Sequence, residues 1–72
     1  MLFNNTYSEQ VVRALKKAGF TIVVTKPKHI GMSDGIRRLV IPNTKTLNPF
    51  TINAIIQDAG LSDEQFMRLI SQ

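Results

Sequence analysis

The stretch FTIVVTKPKHIGMSDGIRRLVIP, residues 20–42, decides the fold. Phe20, Ile22 and Val24 alternate with Thr21, Val23 and Thr25, and this period of two, rich in β-branched side chains, predicts a strand. Pro27 has no N–H to donate, so the strand ends near Lys26 or sits where pairing is interrupted. His29 to Met32 predicts a short second strand, and Asp34-Gly35 a tight turn in which glycine takes the positive φ. Ile36 to Ile41 predicts a third strand, closed by Pro42. Connections this short join antiparallel neighbours.

Helices flank this sheet in the sequence. Thr6-Tyr7-Ser8-Glu9 fits a capping box, with Thr6 as N-cap and Glu9 reaching back. Val11, Leu15 and Ala18 then recur at helical spacing beside Val12 and Ala14, and Gly19 supplies the stop. After a polar loop at Asn43 to Leu47, Asn48 offers an N-cap with Pro49 at the first helical position. Ile52, Ile55, Ile56 and Ala59 give that helix an apolar face, and Gly60 ends it. Ser62-Asp63-Glu64-Gln65 opens a last short helix with Phe66, Leu69 and Ile70 inward. The order α-β-β-β-α-α predicts an α+β fold, a three-stranded antiparallel sheet with helices packed on one face. No repeat or linker interrupts residues 1–72, so one domain is expected, with residues 1–5 a loose N-terminal extension.

A chain of 72 residues buries one thin core and leaves no room for a deep cofactor cleft. No apolar run is long enough to span a membrane, and no cleavable leader is legible, so a cytoplasmic protein is expected. Without cysteine there is neither a disulfide framework nor a thiolate zinc site. Nine Lys/Arg against five Asp/Glu give a net charge of +4, unevenly spread. Residues 1–45 hold eight basic and two acidic side chains, a net of +6, whereas residues 46–72 hold one basic and three acidic, a net of −2. A basic front and an acidic back suit a polyanion on one side, although lysines also simply keep small proteins soluble.

His29 is the only histidine, and histidine is the side chain that normally titrates near neutrality. Strand alternation puts His29 and Gly31 on one face and Ile30 and Met32 on the other. If Ile30 and Met32 meet the helices, His29 stands on the open face, near Lys26, Lys28, Arg37 and Arg38. Arg13, Lys16 and Lys17 form a second basic group on the first helix, a pattern more often a solvated surface than a binding site. The carboxylates Glu9, Asp34, Asp58, Asp63 and Glu64 form no cluster with His29 at ligand spacing, so no metal and no cofactor are expected. No Gly-rich phosphate loop precedes a helix, and Ser33 and Ser62 lack a triad. Ile55 to Leu69 superficially suggests a helix-turn-helix, but a second helix beginning Ser62-Asp63-Glu64 opposes DNA phosphates.

Taken together, residues 8–70 resemble the HicA family of small bacterial toxins. The resemblance is carried by Leu15-Lys16-Lys17-Ala18-Gly19-Phe20, by the single His29 after a lysine, and by Asp34-Gly35 before a basic strand ending in Pro42. Its most specific part is Ala59-Gly60-Leu61-Ser62-Asp63-Glu64-Gln65-Phe66. The resemblance implies a double-stranded-RNA-binding-domain-like fold, an endoribonuclease that cleaves mRNA, His29 as its catalytic histidine, and neutralisation by a HicB-type antitoxin. Two departures stand out. Pro27-Lys28 replaces the family's usual Gly-Ser before the histidine, and Pro49-Phe50-Thr51 replaces its usual Pro-Gly-Thr.

Three functions follow as alternatives. In the first, His29 transfers a proton in metal-independent RNA cleavage, as general base to the ribose 2′-OH or as general acid to the leaving oxygen, with Lys26 and Lys28 stabilising the phosphate charge. The second is a non-catalytic module that binds duplex RNA by shape, using the cations at positions 13, 16, 17, 26, 28, 37 and 38. The third is a protein-interaction domain whose basic face meets an acidic partner.

Overall fold

The computed structural model describes residues 3–72. Helix α1 runs from Ser8 to Lys17, and its apolar side buries Val11, Val12, Ala14 and Leu15. Gly19, at φ +102°, turns the chain into the sheet. Strands β2 (Thr21–Thr25), β3 (His29–Ser33) and β4 (Arg38–Pro42) form an antiparallel sheet in the order β2-β3-β4. Helices α2 (Pro49–Asp58) and α3 (Asp63–Ser71) complete the order expected from the sequence. Asn48 Oδ1 accepts the Thr51 N–H at 2.9 Å, and Ser62 and Gln65 close a reciprocal capping box.

Met32, Leu39 and Ile41 project from one face of the sheet into a core shared with Val11, Leu15, Ile52, Ile56 and Phe66. Val40, on the opposite face, is exposed. The fold is therefore α+β with a three-stranded antiparallel sheet covered on one face by helices, as the sequence predicts. No helix among the described residues is long and apolar enough to cross a membrane.

Four local expectations change. The Thr6 capping box does not form. Thr6–Tyr7 is a short strand, β1, paired antiparallel with a second short strand, β5 (Thr46–Leu47), inside the expected polar loop. Pairing pulls Thr6 into extended backbone and moves the helix start to Ser8, while the Thr6 hydroxyl turns back to the Asn4 carbonyl. The β2 alternation is broken by a bulge between Ile22 and Val24, so Ile22 opposes Met32 but Val24 opposes Gly31 on the open face. The Asp34-Gly35 turn spans Asp34 to Arg37, which delays β4 to Arg38. Of the expected loose extension, residues 1 and 2 lie outside the described residues, and Phe3 packs edge-on against Phe66 with ring centroids 5.5 Å apart.

Candidate active site on the open face of the sheet

β3 is the central strand, and Ile30 and Met32 turn toward the helices. Their inward direction sends His29 and Gly31 to the open face. His29 is exposed, begins β3 and stands opposite Pro42. Among the described residues nothing hydrogen-bonds to its ring. With Lys26, Arg38, Val24, Val40 and Gly31 it lines a shallow hollow of about 230 Å³. The hollow joins an apolar floor to an imidazole and two basic side chains, the set needed to hold a phosphate beside a proton-transfer group.

Gly31 keeps that floor low. A Cβ there would stand 2.6 Å from Val24 Cγ1 and 3.7 Å from Arg38 Nη2. The bulge matters equally, because without it Val24 would point to the helices and the hollow would lose one wall.

The other expected cations are dispersed. Lys28 occupies the β2–β3 turn but does not line the hollow. Arg37 leaves the sheet in the opposite sense from Arg38, and its guanidinium lies over Gly60 in the α2–α3 turn, where an added Cβ would come within 2.8 Å of Cζ. Lys17 donates to the carbonyls of Gln72 at 2.8 Å and Leu69 at 3.4 Å, at the end of α3. Arg13 and Lys16 line a separate groove of about 350 Å³ beside Ile30 and Asn43. That groove is larger than the hollow, but His29 does not line it, so the smaller one is the better candidate for proton-transfer chemistry.

Asn43 opens the segment whose composition predicts a polar loop. Its Nδ2 donates to the Lys26 carbonyl at 3.1 Å, and its backbone N–H donates to the Lys28 carbonyl at 2.9 Å. The next residues tie this segment to α1, since the Ser8 N–H donates to the Lys45 carbonyl at 3.0 Å and the Ser8 hydroxyl to the Thr44 carbonyl. No local pattern announces these bonds, because both partners of Asn43 are distant in sequence.

The family model described as the HicA toxin of bacterial toxin-antitoxin systems matches residues 8–61, more than half of the chain. The chain belongs to the HicA toxin family. It is a toxin of a bacterial toxin–antitoxin pair, and its partner is an antitoxin. The three-stranded sheet with helices on one face is the double-stranded-RNA-binding-domain-like HicA fold. A comparison with curated proteins finds no match.

Proposed function

We propose that this HicA toxin is an endoribonuclease acting on mRNA, with His29 as its catalytic residue. The observation that supports the reading best is the shared hollow of His29, Lys26 and Arg38 on the sheet face opposite the helices. RNA carries its own nucleophile. His29 takes the proton of the ribose 2′-OH, the 2′-oxygen attacks phosphorus, and the P–O5′ bond breaks. The products are a 2′,3′-cyclic phosphate and a 5′-OH whose proton comes from water. Lys26 and Arg38 balance the charge that builds on the phosphorane oxygens. Arg38 replaces Lys28 in that role because it lines the hollow.

The proposed reaction draws on no resident metal: proton transfer is assigned to His29 and charge stabilisation to Lys26 and Arg38. Residues 1–72 act as one HicA-like domain in the cytoplasm, where mRNA is met. The antitoxin is of HicB type and covers the basic face by charge complementarity.

The test is incubation of the purified toxin and of His29→Ala with labelled single-stranded RNA in chelator. The account expects the parent to cleave, and His29→Ala to lose on the order of 10²–10⁴-fold in rate while keeping its fold and RNA affinity. Equal cleavage by both proteins removes His29 from the reaction. Binding without cleavage by the parent makes the chain an RNA-binding module instead.

A further inference from the structure

The turn that presents His29 does not close itself. Two-residue hairpin loops favour turns with positive φ at their central residues. Here the central pair is Pro27-Lys28, proline is locked near φ −65°, and no non-glycine residue among those described has positive φ. Only one closing bond is made across the turn, from the Lys26 N–H to the His29 carbonyl at 2.8 Å. The reciprocal bond, from the His29 N–H to the Lys26 carbonyl, is not formed among the described residues. That carbonyl accepts Asn43 Nδ2 at 3.1 Å.

On the β4 side His29 and Pro42 form a pair that exchanges no backbone bonds with each other, so the proline costs the ladder nothing. The ladder bond that flanks this pair comes from the next residue, whose N–H donates to the Lys28 carbonyl at 2.9 Å. Asn43 therefore holds the carbonyls of both lysines, one with its side chain and one with its backbone. The second of those pinned peptide groups leads directly into His29, which limits how far the turn can swing it.

We propose that Asn43 is a positioning residue for His29, supplying from just beyond β4 the closure that the Pro27-Lys28 turn does not make for itself. The proposal deepens the nuclease reading and rests on it for its kinetic consequence. Asn43 lines the groove of Arg13 and Lys16 rather than the hollow, so it acts on His29 through the turn. A displacement of the reacting group by about 1 Å is worth on the order of a hundredfold in rate.

The experiment compares the parent, Asn43→Ala and Asn43→Asp in single-turnover cleavage of a labelled RNA, and repeats Asn43→Ala in a P27N/K28G background whose Asn-Gly turn closes without help. Both variants keep the backbone bond and lose the donated amide; Asp keeps the size of Asn and adds a negative charge facing the Lys26 carbonyl, so it serves as the second variant should the Ala protein not fold. The expected result is a fall in kcat of about tenfold to a hundredfold in both single variants, with KM changed by less than about twofold. In the self-closing background, removal of the amide costs less than about threefold. Unchanged kcat in the single variants, or an equal loss in both backgrounds, overturns the proposal. If the parent itself does not cleave, the nuclease reading fails, and the turn is judged by the imidazole resonances of His29. A set that is single and sharp in the parent and broadened in Asn43→Ala, and sharp again in Asn43→Ala with the Asn-Gly turn, supports the positioning role; identical spectra refute it.

Discussion

At Gly31 a Cβ would stand 2.6 Å from Val24 Cγ1, closer than two carbons approach unless one moves. Valine has little rotamer freedom to yield, so an alanine there either tilts β3 or pushes Val24 across the hollow. Gly31→Ala is expected to destabilise the toxin by about 1–3 kcal/mol in urea unfolding, and Val24→Ala in the same chain to recover most of that loss. Additive penalties would show that the close contact is not the cause. Residue direction was legible where parity alone decides it. Ile30 and Met32 are apolar and inward, so His29 must face outward. Val24 was not legible, because the bulge that turns it depends on pairing with β3 and leaves no mark in its own alternation.

Among the elements, the β3–β4 turn is built on Asp34, whose Oδ1 accepts the backbone N–H of Arg37 at 2.6 Å and of Ile36 at 2.9 Å. Those bonds, that from Arg37 foremost, hold its carboxyl below the ordinary value of 3.8. The ionised form is the better acceptor, so the stabilisation is complete above that ordinary value and fades as pH falls through the lowered folded value. The melting temperature of the parent is therefore expected to drop more steeply below about pH 4 than that of Asp34→Ala. Parallel acid profiles contradict this. Local signals served well at the caps of α2 and α3, where donor and acceptor are three residues apart. The Thr6 cap signal failed against a competitor the local sequence does not contain. Extended Thr6–Tyr7 gains its partners from Thr46–Leu47, far along the chain, and two-residue strands have no periodicity to reveal them.

For the whole molecule, charge was readable as a sum but not as a direction. The basic first half is real, yet folding sends Lys17 to the end of α3 and Arg37 over the α2–α3 turn, leaving Lys26 and Arg38 with His29. That sorting predicts how salt acts on RNA affinity. With about 0.7 of slope per phosphate on a single strand, the K26A/R38A variant should flatten the plot of log K against log salt by about 1.4. Arg37→Ala should change it by less than about half of that. Equal effects from the two would mean that RNA spreads over both sides of the molecule.

The account stands most directly on the chemistry of the cut ends. Mass spectrometry of the fragments should find a 2′,3′-cyclic phosphate on one side of the break and a 5′-OH on the other. An RNA carrying a single 2′-deoxy sugar at the scissile position should stay intact there. A free 3′-OH at the cut, or cleavage at the deoxy position, would contradict proton transfer from the ribose to His29.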